Sequence, residues 1–213
     1  MRGLATGKSR LAGVLDGGER AALNRLLLDR VLDAVGQAEG GLARCIVASA
    51  CDDALSMAQR RGALHLRENI GTGLNAALEG ARAWAIDHGA MSILTLAADL
   101  PDVDGAALHR LFAGVPADFT GVIADKHARG TNGLLLPAHV PLRFAFGEGS
   151  LARHVAALRD AGLPFRVWHD PALAFDVDST ADHAAWCARQ PHAMASASAS
   201  ASAAAAAAAA VAH

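Results

Sequence analysis

Cysteine is scarce in this chain of 213 residues, and its three copies, Cys45, Cys51 and Cys187, form no C-x-x-C pair. Their odd number, in a chain that opens on no signal-peptide pattern, argues against a structural disulfide and for reduced thiols in a cytoplasmic setting. Basic excess is missing too. A formal net charge of -2 leaves no polyanion-binding signature, so nucleic acid is not an expected partner. Outside the C-terminal tail no apolar run approaches the roughly 18 residues of a membrane span, and no membrane partner is expected. The ten histidines also fail to make a metal motif. His183 and Cys187 share a helix face at i and i+4, yet no second ligand pair accompanies them, which favours packing or solvent exposure.

What is present is apolar: 53% of the residues are hydrophobic, enough for one sizeable core. Part of that figure belongs to residues 191–213, which become alternating Ala-Ser and then nearly pure alanine. Such a tail has no large side chains to bury and receives no function. Residues 1–190 read as one domain of alternating helices and strands. Leu23, Leu27, Val31 and Val35 recur at helical spacing, and Cys45 to Ala48 reads as a buried strand. Asp52 is placed to cap a helix running to Gly62, and Ala63 to Leu66 suggests a strand before a glycine loop. Further helices are expected from Leu74 to His88, Asp104 to Ala113 and Ser150 to Ala161, with a last one beginning after Ser179 or Thr180 and turning Trp186 inward. Strands are expected at Phe119 to Ala124, Gly133 to Leu136, Phe165 to Trp168 and Ala172 to Phe175. Such alternation gives a three-layer α/β sandwich.

The chain is organised around Met91 to Pro101, an apolar run that stops at Asp99. Near-continuous apolar character suits a parallel strand buried on both faces, and Asp99 then falls at the edge that faces a ligand crevice. It could meet a metal or phosphate there, or merely cap the next helix. Near the amino terminus, Gly3 to Leu11 sets glycines before Lys8 and Arg10, a loop able to wrap phosphates or equally a solvated basic turn. It is not a P-loop, because the glycine spacing before Lys8 is wrong. Residues Asp125 to Asn132, and Phe144 to Ser150, form two further polar stretches. The second ends at a helix start, where amides and nearby glycines could seat an anion, or where Ser150 is simply a cap. Asp176-Val177-Asp178 puts two carboxylates on one face if it is extended, an arrangement that suits magnesium or a surface turn.

Together these segments resemble the CofC or FbiD guanylyltransferases, within the larger nucleotidyltransferase group that includes the molybdenum-cofactor (MobA-like) enzymes. The matching features are Lys8-Ser9-Arg10-Leu11, Gly73 to Leu78, Ala98 to Pro101, Gly130-Thr131-Asn132, Phe146 to Ser150 with His154, and Asp176 to Ser179. The resemblance implies a Rossmann-like nucleotidyltransferase fold with a mostly parallel sheet. It also implies transfer of GMP from GTP to a small phosphorylated carboxylic acid, with release of pyrophosphate, in biosynthesis of coenzyme F-420. Carried over by motif, Lys8 and Arg10 would hold the triphosphate and act in catalysis with Asp99, and Gly73 and Asn75 would lie near the nucleotide. Thr131, Gly147 and Ser150 would hold the acid, and Asp99, Asp176 and Asp178 would bind Mg2+. The acceptor phosphate is already an anionic nucleophile, so positioning and charge neutralisation matter more than a general base.

Phosphoenolpyruvate, 3-phospho-D-glycerate and 2-phospho-L-lactate remain alternative acceptors, since pocket shape decides among them. Another MobA-like nucleotidyltransferase and a non-catalytic nucleotide-binding protein are the other readings, and a homodimer is left open. The chain departs from the resemblance at its start. Relatives carry an apolar strand directly before the basic loop, whereas here it opens on Met1-Arg2, so the expectation is of a missing first strand and a true start upstream.

Overall fold

The computed structural model describes residues 8–38, 40–68 and 73–189. The expectations placed on Gly3 to Gly7, on part of the glycine loop before Gly73 and on the Ala/Ser tail lie outside the described residues.

Helix α1 (Gly17–Gln37) starts where Asp16 accepts the Glu19 N–H and the Glu19 side chain accepts the Asp16 N–H, a reciprocal cap that satisfies two otherwise orphaned donors. Its stripe of Leu23, Leu27, Val31 and Ala34 is buried. Strand β1 (Ile46–Ser49), helix α2 (Asp52–Arg60) and strand β2 (Leu64–Arg67) follow, with β1 and β2 parallel. Asp52 does not cap α2. Cys51 holds that position and Asp52 begins the helix, where its charge meets the positive end of the helix dipole. Helix α3 (Gly73–Asp87) leads to β3 (Ser92–Leu96), and α4 (Gly105–Gly114), capped by Asp104, leads to β4 (Thr120–Ala124). Then come β5 (Thr131–Pro137), α5 (Ser150–Asp160), β6 (Phe165–Trp168), the short α6 (Pro171–Ala174) and α7 (Thr180–Arg189).

The larger sheet has the order β3-β5-β4-β6, in which β3, β4 and β6 run one way and β5 runs against them. Alternation along the strands builds the layers. Ile123 and Leu135 pack with Val31 and Ala34 of α1 and with Leu108 and Leu111 of α4, while Val122, Leu134 and Leu136 pack with Leu158 of α5 and Leu78 of α3. This is the expected α/β sandwich; β1, expected to be buried, is only partly so, and two larger local departures accompany it.

The first is β3, expected to be parallel-paired and buried on both faces. It is only partly buried, and β5 lies antiparallel beside it, because the tight turn after β4 folds β5 back between β4 and β3. Close approach there requires Gly133, where an added Cβ would come within 2.5 Å of the Thr95 carbonyl oxygen. The second is the segment Ala172 to Phe175, expected as a strand. Asp170 accepts the Ala172 N–H at 2.9 Å and Pro171 occupies the first helical position, so the segment winds into α6 instead.

One core cluster belongs to the site. Leu11, Val177 and Trp186 are essentially inaccessible and pack with Leu23 and Leu27, so α1 and α7 hold the basic turn and the Asp176 to Asp178 segment together.

Candidate functional site

Asp99 lies just beyond the carboxyl end of β3, where the Ala97 N–H bonds the Asn132 carbonyl at 2.7 Å and Leu100 is fully buried. The side chain of Lys8 comes to it. Lys8 Nζ stands 3.0 Å from Asp99 Oδ2 and 3.6 Å from Asp178 Oδ1, and it also donates to the Val177 carbonyl. Lys8 adopts a left-handed backbone, φ 55°, and only 6% of its side chain is exposed. A non-glycine residue in that region costs on the order of 1 kcal/mol, a strain often found where a side chain must be aimed.

The acid pair follows α6 as irregular chain, not as a strand. With Val177 buried and its N–H donated to the Asp99 carbonyl at 3.3 Å, the two neighbours turn to different cations. Asp178 meets Lys8, whereas Asp176 meets Lys126 at 3.2 Å. The expected strand end is therefore corrected to irregular chain; each carboxylate has a lysine partner, and the charge of Asp178 still acts on Asp176. Lys126 also pairs with Asp182 at 2.8 Å and sits 4.8 Å from the centre of the Phe175 ring.

Charge in this cluster is unbalanced, since four carboxylates face the two ammonium groups. Burial pushes the Asp99 carboxyl above its ordinary range; Lys8 opposes the shift, and the charges of Asp178 and Asp176 add to it. Asp176 is likewise raised by burial and by Asp178, against Lys126. Asp182, despite some burial, is drawn down to about 2 by hydrogen bonds from Lys126 and Ser179. An excess of two negative charges on oxygen donors has the character of a site for a hard divalent cation. Among the described residues, however, no three acidic, histidine or cysteine side chains are grouped as a ready metal cage, and the Lys8 ammonium lies between Asp99 and Asp178.

A second constellation forms where β5 begins. The Thr131 N–H donates to Ser150 Oγ at 2.8 Å, and Thr131 Oγ1 lies 3.0 Å from His154 Nδ1. All three side chains are buried. Ser150 is not the helix cap that was expected. Gly149, left-handed at φ 68°, holds that place, so Ser150 is the first residue of α5 and its hydroxyl reaches across to β5. The preceding loop is fixed from two sides. Asn75 of α3 holds the Phe146 backbone with both ends of its amide, at 2.8 and 3.3 Å, and the Ala145 N–H donates to His154 Nε2 at 3.0 Å. Gly147 adopts φ 121°, open to glycine and strained for other residues. The turn from Asp125 to Gly130 closes onto the same helix end, with the Leu151 N–H bonded to the Arg129 carbonyl at 3.2 Å.

Of the residues singled out by sequence, Lys8, Asp99 and Asp178 meet directly, with Asp176 beside them. Thr131, Gly147, Ser150 and Asn75 gather at the other constellation. Gly73 begins α3 with φ 80°, and Arg10 is exposed on the turn after Lys8. Three contributors were not assigned roles by sequence. Lys126 and Asp182 complete the acid cluster, and Asn132 donates to the carbonyls of Leu173 and Ala174 at 3.0 and 2.9 Å, tying β5 to the chain that carries Asp176. The signal for Asn132 was its place in Gly130-Thr131-Asn132; Lys126 and Asp182 lie too far apart in sequence to be paired by spacing.

The family model described as guanylyl transferase CofC like matches residues 2–186 of the chain. A phosphoenolpyruvate guanylyltransferase from Sphaerobacter thermophilus is 40% identical over 84% of this chain and 86% of that relative. A 3-phospho-D-glycerate guanylyltransferase from Phenylobacterium zucineum is 35% identical over 90% of this chain and 88% of its own length. Among solved structures, a nucleotidyl transferase from Methanothermobacter shares the fold, with a TM-score of 0.57 at 18% identity, covering 74% of this chain and 77% of that one.

Proposed function

The chain belongs to the CofC-like guanylyl transferase family, and from that premise we propose that it transfers GMP from GTP to a small phosphorylated carboxylic acid, with phosphoenolpyruvate as the acceptor and pyrophosphate as the leaving group. The product would enter biosynthesis of coenzyme F-420.

The observation that carries this reading is the Thr131-Asn132 step of β5, which has the hydroxyl-lined helix end on one side and the carboxylate cluster on the other. Both substrates are anions: hydroxyl and backbone donors can receive one directly, whereas the carboxylate cluster would receive the other through its lysines and a divalent cation. Thr131, Gly147 and Ser150 would hold the acid through hydroxyl and backbone donors at the start of α5. Lys8 would exchange its carboxylate partners for triphosphate oxygens, with Arg10 beside it and the Gly73 to Asn75 end of α3 near the nucleotide. Asp99, Asp176 and Asp178 would hold Mg2+, whose charge would neutralise the departing pyrophosphate. The acid's own phosphate is the nucleophile, so these residues act by orienting it and not by removing a proton.

Phosphoenolpyruvate is favoured because it is named for the more similar of the two relatives; 3-phospho-D-glycerate is the second reading. The test is a pair of variants. Thr131→Val and Ser150→Ala should each raise KM for the acid about tenfold or more while leaving KM for GTP nearly unchanged, since a lost hydrogen bond to a charged group costs about 1.5–3 kcal/mol. Equal weakening of both substrates would remove these residues from the acceptor seat.

A further inference from the structure

His154 is fully buried between β5 and the glycine loop, and its two ring nitrogens have different partners. The Ala145 backbone amide, 3.0 Å from Nε2, can only donate, so Nε2 must supply a lone pair. A neutral imidazole carries one N–H hydrogen, which this contact assigns to Nδ1. Nδ1 in turn faces Thr131 Oγ1 at 3.0 Å, so the hydroxyl oxygen accepts from the ring. Its own single hydrogen is thereby turned elsewhere. The Phe146 ring, edge-on with centroids 5.1 Å apart, holds the imidazole plane.

Resting on the reading that Thr131 holds the acid substrate, we propose that His154 is a positioning residue: the Ala145 amide locks its Nδ1–H tautomer, and that tautomer forces Thr131 to present a hydroxyl hydrogen to the anionic acceptor. With the tautomer reversed, Nδ1 would become an acceptor and take the Thr131 hydrogen itself. The anion would then meet only an oxygen lone pair. Burial, with the nearby Arg153 charge, holds the imidazole neutral by lowering its pKa to about 4, which keeps Nε2 available to Ala145 at neutral pH.

Two measurements test this together. Long-range 1H–15N correlation spectra of 15N-histidine-labelled protein, with the His154 signals identified by their loss in His154→Gln, should give a neutral Nδ1–H ring at pH 7 whose proton signal moves on adding phosphoenolpyruvate but not GTP alone. In kinetics, His154→Gln keeps an acceptor for Ala145 but has no donor at the Nδ1 position, so KM for the acid should rise about tenfold with kcat little changed. In a Thr131→Val background the same substitution should add less than about threefold, because both changes remove one coupled interaction. An Nε2–H or charged ring, or an unchanged acid KM in His154→Gln, overturns the proposal while Thr131→Val still weakens the acid. An unchanged acid KM in Thr131→Val overturns the acceptor seat itself and the His154 role with it, even if the Nδ1–H tautomer is found.

Discussion

Asp99 is a carboxylate whose charged form is disfavoured by burial. Its folded-state pKa is raised above the unfolded value, so the destabilisation is absent at low pH, grows as pH rises from about 4 through the folded pKa, and is fully present beyond it. Asp99→Asn removes that charge without changing the shape. The variant should have a higher Tm than the parent at pH 7 without ligands, while turnover falls by orders of magnitude. A lower Tm with near-normal turnover would show that Asp99 is structural. His154 has the opposite sense. Its pKa is depressed from its ordinary value near 6.5 to about 4, so its contribution to stability is complete above pH 6.5 and is lost as pH falls toward 4. Melting curves should therefore give a Tm gap between the parent and His154→Gln that narrows over this interval, and a gap that widens toward acid would contradict the buried neutral ring. At this scale the sequence exposed residue types but not partners. Lys8, Asp99 and Ser150 stood out by motif, whereas the division of Asp176 and Asp178 between Lys126 and Lys8 depends on the buried Val177 between them, which spacing alone does not reveal.

Among the elements, β5 does the most to join the two constellations. Thr131 reaches Ser150 and His154, while Asn132 reaches the end of α6 and, through its carbonyl, the chain leading to Asp99. Asn132→Ala removes two hydrogen bonds to the α6 carbonyls. It should lower kcat more than KM for the acid, because the loss loosens the segment bearing Asp176 and leaves the hydroxyls of Thr131 and Ser150 in place. Steady-state kinetics with both substrates would check it, and a selective rise in acid KM would assign Asn132 to the acceptor seat instead. Most elements were legible from one local signal each: apolar periodicity marked α1, Asp104 the start of α4, and Ser179 with the inward Trp186 the last helix, α7. Where they were misread, a local device had overridden the pattern: Asp170 and Pro171 start a helix in what looked like a strand, and the β4–β5 reversal sets an antiparallel neighbour beside β3. Apolar character marks burial but carries no strand direction.

For the molecule as a whole, the sandwich brings residues from both ends of the described chain to one place. Leu11, Val177 and Trp186 share a core cluster, so the basic turn and the acid segment are held against α1 by apolar packing before any ion pair is counted. The α/β class and the family resemblance could be read from the order of motifs. The lysine-bridged acid cluster could not, because it joins Lys8 to Asp99 and Asp178 across most of the sequence. Transfer of GMP to a phosphorylated acid is the central claim, and its product is the most direct witness. The protein should be incubated with GTP and Mg2+ and with phosphoenolpyruvate, 3-phospho-D-glycerate or 2-phospho-L-lactate in turn, and the products weighed by mass spectrometry. The account predicts a guanylyl adduct of phosphoenolpyruvate formed with one pyrophosphate per GTP consumed; GTP left intact with all three acids would contradict it.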